Sequence, residues 1–177
     1  MLEYSMRLFI AVNFDEEIKG RLLKIQGQLR SQCHKGNFTQ AENFHITLAF
    51  LGETPGERLQ DLFQIIGDVK FSAFDLCFSR TGCFTHSGKE LWWVGAERGS
   101  IGHSLLEAIH SQLIDRLSDG GFNVDKRAFN AHITLAREVR HSDPILLDCP
   151  EITVPVRRIS LMKSEHIRGF LTYTELK

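Results

Sequence analysis

The spacing of apolar positions changes several times along the chain, and each change marks a predicted element. Arg7 to Phe14 is dense in β-branched and aromatic residues and predicts a strand ended by Asn13 and Asp15. Asp15 can cap a following helix, in which Ile18, Leu22, Ile25 and Leu29 recur at helical spacing until the pattern fades between Ser31 and Gly36. Phe44 to Leu51 predicts a second strand, stopped by Gly52. Thr54 as N-cap, Pro55 in the first helical position and Glu57 completing a capping box predict a helix running to about Val69. Phe71 to Phe84 and Leu91 to Ala96, around turn residues Thr85 to Lys89, predict an antiparallel pair. A third helical stripe runs Ile101, Leu105, Ile109, Leu113, Leu117 and is closed by Gly120 and Gly121. Strands follow at about Ala131 to Glu138, Val154 to Lys163 and Phe170 to Leu176, the last two joined by a turn near Arg168 and Gly169. Helices therefore lie between antiparallel strands, with no linker or low-complexity segment to divide them.

Length and charge narrow this picture. At 177 residues the chain suits one compact domain, or two small lobes sharing a core, over residues 1–177. With 21 Lys+Arg against 22 Asp+Glu it offers a polyanion no whole-molecule attraction, so contact with nucleic acid is expected to be local, at an end or a single phosphate. Cys33, Cys77, Cys83 and Cys149 match no Cys-x-x-Cys spacing and read as free thiols in a reducing cytosol. The start of the chain lacks a positive leader with a long apolar region, and no apolar run is long enough to span a bilayer, so neither export nor membrane insertion is expected.

One internal repeat carries chemistry. His45-Ile46-Thr47-Leu48-Ala49 returns unchanged as His132-Ile133-Thr134-Leu135-Ala136. Among roughly sixteen thousand position pairs, an identical pentapeptide arises by chance on the order of once per hundred such chains. In a strand, alternate side chains share a face, so each copy sets His and Thr on one side and Ile and Leu on the other. A single His-x-Thr is most simply a solvated strand surface. Packing gives no reason for two positions to choose the same imidazole and place the same hydroxyl two residues on. Two imidazoles across a cleft provide a proton donor and a proton acceptor near neutral pH, as acid/base cleavage of a phosphodiester requires. The threonine hydroxyls can hydrogen-bond non-bridging phosphate oxygens.

Two His-x-Thr-hydrophobic motifs half a chain apart resemble the two-histidine phosphoesterase superfamily, specifically the RNA 2′,3′-cyclic phosphodiesterases once named 2′-5′ RNA ligases. The likeness extends to Arg7-Leu8-Phe9-Ile10-Ala11-Val12 as opening strand, Glu42 to Gly52 around the first motif, Trp93-Val94-Gly95 as central strand, Phe129 to Arg137 around the second motif, and Tyr173-Thr174-x-Leu176 as final strand. Ala131 stands where the family often has Pro, Phe38 stands where it usually has an aromatic, often Trp, and Met6-Arg7 resembles the usual start, so that Met1 to Ser5 reads as an extension or a misassigned start. The resemblance implies an α+β fold of two pseudo-symmetric lobes, each an antiparallel sheet backed by helices, with the active site in the groove between them.

It also implies metal-independent hydrolysis, without cofactor, of 2′,3′-cyclic phosphate ends of RNA or oligonucleotides to 2′-phosphates. His45 and His132 would be catalytic, Thr47, Thr134 and Arg137 would bind phosphate, and Phe50 would stack on a base. Alternatives are 2′-5′ ligation of tRNA halves by the reverse reaction, a non-catalytic nucleotide-binding module on the same fold, and a metal protein using His45 and His132, although neither motif has carboxylates or cysteines at ligand spacing. A cytosolic monomer is expected. Strand periodicity raises one difficulty: Phe50 and Arg137 each lie five residues after a histidine, on the opposite face of a regular strand, and reach the site only if each strand ends or bulges just beyond its motif. The other histidines read as surface residues, one of Trp92 and Trp93 should line the groove, and Arg157, Arg158, Lys163 and Arg168 are candidate guides for an RNA strand.

Overall fold

A computed structural model describes residues 4–177, so Met1, Leu2 and Glu3 of the expected extension lie outside the described residues. The elements are β1 (Ser5–Asn13), α1 (Glu16–Ser31), β2 (Lys35–Phe38), β3 (His45–Pro55), α2 (Leu59–Asp68), β4 (Phe74–His86), β5 (Lys89–Ala96), α3 (Ile101–Asp119), β6 (His132–Arg140), β7 (Ile152–Val156), β8 (Ser160–Ile167) and β9 (Phe170–Glu175). No helix among the described residues is long and apolar enough to cross a membrane. The strands form one antiparallel sheet in the order β7-β4-β5-β6-β3-β1-β8-β9, with β2 also paired to β6.

The expected α+β architecture of two similar halves is present, and the two halves share one sheet. β3-β1-β8-β9 and β6-β5-β4-β7 each place a motif strand innermost. The motif strands meet at a single residue pair, Ile46 opposite Ile133. That pair belongs to the core, with Leu8, Ile10 and Leu48, Leu22 and Ile25 of α1, Leu62 of α2, and Leu106 and Leu113 of α3. The helices thus cover the face that carries Ile and Leu of both repeats, which leaves His and Thr on the other. Asp15 caps α1 as expected, accepting the Ile18 amide at 2.9 Å, and Ser100 caps α3, accepting the His103 amide at 3.1 Å.

Several local readings are corrected by tertiary contacts. β3 continues through Gly52, which takes φ +67°, to Pro55, so Thr54 sits opposite Met6 in the sheet, 3% exposed, and donates to the Gly52 carbonyl instead of capping a helix. α2 therefore starts later, after a turn of 3-10 helix at Gly56–Arg58, because the ladder to β1 claims the backbone the capping box would have used. The segment Val154 to Lys163 is two strands: β7 pairs with β4 in one half and β8 with β1 in the other, with Arg157 to Ile159 crossing between. The first turn of α3 rotates away from the predicted stripe, leaving Ile101 82% exposed and burying Gly102, His103 and Leu106. There the helix backs onto the Asp75 carbonyl so closely that a Cβ on Gly102 would lie 2.2 Å from it. His103 is consequently a buried histidine rather than a surface one. Finally, β2 is a four-residue, mostly polar strand with no periodic signal, ordered by pairing with β6.

Candidate active site

The difficulty over Phe50 and Arg137 is resolved by two matching bulges. Between β1 and β3, Ala11 faces Thr47 and Ile10 faces Ala49, leaving Leu48 as the extra residue. Between β5 and β6, Trp93 faces Thr134 and Trp92 faces Ala136, leaving Leu135 extra. In both strands the Leu and Ala of the repeat are therefore buried in succession, and the residue after them returns to the face of His and Thr. Phe50 becomes 47% exposed, and Arg137 is likewise exposed. The carbonyl of Leu135, turned out of the regular ladder, accepts the Thr39 amide at 2.9 Å and Gln26 Nε2 at 2.8 Å. Gln26, only 4% exposed, also donates to the Thr39 carbonyl. Its signal in the sequence is an amide on the apolar face of α1, between Leu22 and Leu29.

Both imidazoles are held in the same way. His45 Nδ1 lies 2.7 Å from the Asn43 carbonyl, and His132 Nδ1 lies 2.7 Å from the Asn130 carbonyl. A carbonyl can only accept, so Nδ1 carries hydrogen in both rings and Nε2 is left for proton exchange. His45 Nε2 accepts from the Thr47 hydroxyl at 2.9 Å. The paired Asn-x-His spacing was visible in both motifs, but a backbone acceptor has no residue signature. Asn43 is buried and donates its side-chain amide to the Leu171 carbonyl, tying the first motif to β9.

Aromatic rings wall each histidine. Phe9 and Tyr173 lie 4.9 and 5.2 Å from the His45 ring, centroid to centroid, and Phe84 lies 5.2 Å from the His132 ring, edge to face. Phe84 in turn packs on Trp93, which lies across Gly82 and Gly95, where a Cβ would meet the indole at 2.5 and 2.6 Å. Trp93 is the groove-face tryptophan of the pair, and Trp92 belongs to the core. Burial is the main cause that lowers both histidines, His45 to about 4, with the nearby Arg137 guanidinium adding to it in each case. Both rings are therefore mainly neutral at pH 7.

The six predicted site residues share adjoining cavities. His45, Thr47, Phe50 and Arg137 line one of about 770 Å³. His45, Thr134 and Arg137 line one of about 200 Å³, with Phe38 in its wall. Thr47, Phe50 and His132 line a third of about 560 Å³, which His110 and Phe129 also border, their rings stacked at 4.2 Å. Among the described residues no group of three or more His, Cys, Asp or Glu comes together as a metal ligand set. The four basic candidates of the last strands do not act together. Arg157 and Arg158 line a separate recess, Arg158 and Lys163 are ion-paired with Glu175 and Glu165, and Arg168 occupies the β8–β9 turn at φ +52°.

Comparison with known proteins places this arrangement. A family model described as LigT like phosphoesterase matches residues 12–93. The RNA 2′,3′-cyclic phosphodiesterase of Archaeoglobus fulgidus is 32% identical over 157 residues, covering 88% of this chain and 81% of that protein. The crystal structure of Escherichia coli LigT complexed with 3′-AMP superposes with a TM-score of 0.84 at 26% identity, over 98% of this chain and 97% of the other. TT0787 of Thermus thermophilus superposes with a TM-score of 0.79 at 27% identity, over 97% and 96% of the two chains. With its two His-x-Thr strands meeting at the centre of one sheet, this chain belongs to the LigT-like phosphoesterase family.

Proposed function

We propose that the chain is a metal-independent RNA 2′,3′-cyclic phosphodiesterase that opens the cyclic phosphate at an RNA or oligonucleotide end to a 2′-phosphate, with residues 1–177 working as one unit. The observation that carries this reading is the duplicated arrangement of imidazole, hydroxyl and bulge, which sets two identically oriented Nε2 atoms on one face of the sheet. The names of its relatives, which are RNA 2′,3′-cyclic phosphodiesterases, support it. We take the protein to act as a cytosolic monomer, with tRNA ends among its substrates.

Opening to a 2′-phosphate breaks the P–O3′ bond while a water forms a new P–O bond in line with it. One group must protonate O3′ and another must take a proton from the water. His45 is assigned to O3′ and His132 to the water. His45 borders the large cavity, which has Phe50 at its side to receive a base. Thr47, Thr134 and Arg137 hold the non-bridging oxygens, where negative charge builds in the transition state. An anionic substrate also offsets the effect of Arg137 on His45 and favours the imidazolium that the acid role needs.

The test is incubation with a 2′,3′-cyclic-phosphate-ended oligonucleotide in the presence of chelator, with the position of the product phosphate determined. The expected product is a 2′-phosphate formed at an undiminished rate. A 3′-phosphate product, or loss of activity in chelator, refutes the mechanism, and joining of tRNA halves under the same conditions would mark the ligase alternative.

A further inference from the structure

The large cavity is longer than one nucleoside requires. Its lining runs from Phe9 back along β1 to Ser5 and on to Tyr4 just before it, roughly 16 Å at the rise of a strand, and continues to Lys163 and His166 on β8. Of its charged side chains, Lys163 is ion-paired with Glu165, and Glu53, opposite Arg7 in the pairing of β1 with β3, accepts the Ser5 hydroxyl at 3.1 Å. Arg7, midway along the trough and exposed, forms no ion pair among the described residues. Its guanidinium lies 5.0 Å over the ring of Phe50.

We infer that this trough is the binding site for the RNA segment leading up to the cyclic end, and that Arg7 holds the phosphodiester on the 5′ side of the terminal nucleoside. The inference rests on the phosphodiesterase reading and specifies its substrate as an oligonucleotide rather than a free cyclic mononucleotide. A terminal ribose with a cyclic phosphate has one neighbouring phosphate, at its 5′ oxygen. With the terminal base on the face of Phe50 that Arg7 leaves free, that phosphate lies at the edge of the base, within reach of the guanidinium. Arg137 faces the histidines and serves the reacting phosphate; Arg7, two residues along β1 from Phe9, lies beyond it and is placed for the next. Planar guanidinium and phosphate oxygens make paired, charge-assisted hydrogen bonds, which an ammonium reproduces in charge but not in geometry.

The experiment compares two dinucleotides ending in the same 2′,3′-cyclic phosphate, one with an ordinary phosphodiester linkage and one with a neutral methylphosphonate linkage. Each is offered to the wild type, Arg7→Met, Arg7→Lys and, as a control for lost charge on the helical side of the molecule, Lys24→Met. The wild type and Lys24→Met should prefer the charged linkage by about tenfold or more in kcat/KM, mostly through KM. Arg7→Met should abolish that preference and Arg7→Lys should keep part of it. A wild type indifferent to linkage charge, or an Arg7→Met variant that loses the same factor on both substrates, overturns the inference, because a purely structural arginine cannot sense the linkage. Should the wild type open neither ring, the phosphodiesterase reading fails. Affinities for 2′-phosphate-ended dinucleotides with the two linkages then decide the role of Arg7 by the same ratio.

Discussion

Between pH 6.5 and pH 4 the folded protein should lose stability through His45. Burial beside Phe9 and Tyr173 lowers its pKa from the ordinary 6.5 to about 4, so in this window the unfolded chain binds a proton that the folded protein excludes. The contribution is complete above pH 6.5 and is lost as pH falls towards 4. Linkage gives about 2.5 kcal/mol lost by pH 4.5 from this residue alone. His132, lowered for the same reason, adds in the same direction. His45→Gln removes the titration while leaving an amide to donate to the Asn43 carbonyl. Urea unfolding followed by tryptophan fluorescence at pH 7.0, 5.5 and 4.5 reads the effect as the difference between the two proteins' losses. The variant should lose about 2 to 3 kcal/mol less than the wild type over this range. Equal losses would refute the argument, because His45 would then carry its proton in the fold as readily as in the unfolded chain.

The proposed chemistry leads to further expectations. His45→Ala and His132→Ala should each reduce cyclic phosphodiester hydrolysis by at least about a hundredfold without unfolding the protein, and a substrate whose leaving group needs no protonation should restore His45→Ala but not His132→Ala; the reverse pattern would exchange the two roles. Arg137→Ala should weaken binding of the 2′-phosphorylated product, measured by calorimetry, and unchanged affinity would place Arg137 outside the site. Phe50→Ala should cost about 1 to 3 kcal/mol of affinity for an oligonucleotide end, whereas a loss confined to folding stability would make Phe50 a packing residue. Gln26→Met leaves the bulge carbonyl of Leu135 without its side-chain donor and should cost about 1 to 3 kcal/mol in urea unfolding, together with a rise in KM if the bulge positions Arg137; full activity with lowered stability would separate the two.

Much of this protein is legible because it is local. The helical stripe from Ile18 to Leu29 and its Asp15 cap depend on spacings of three and four residues, and the turn at Ser87 and Gly88 depends on the two strands flanking it. The repeated pentapeptide needs no structure to be noticed, and alternation in a strand is enough to pair each histidine with its threonine. These readings rest on period and chain neighbours, which a sequence contains in full.

What the tertiary structure alone decided are matters of pairing between distant segments. Thr54 and Pro55 have the chemistry of a helix start, yet the ladder to β1 outweighs a cap because it satisfies more backbone groups and buries Thr54 against Met6. Val154 to Lys163 read as one strand, and only the demands of β4 and β1, in the two halves of the sheet, divide it. The bulges at Leu48 and Leu135 are the decisive case. By chain order alone Phe50 and Arg137 belong to the core face, and the extra residue that returns them to the histidines exists only relative to the partner strands β1 and β5, with Gln26 of a distant helix satisfying the carbonyl that one bulge turns out. The sequence by itself determined which side chains are available for the chemistry; which of them face one another depended on cross-strand register, a property of two segments that neither carries alone.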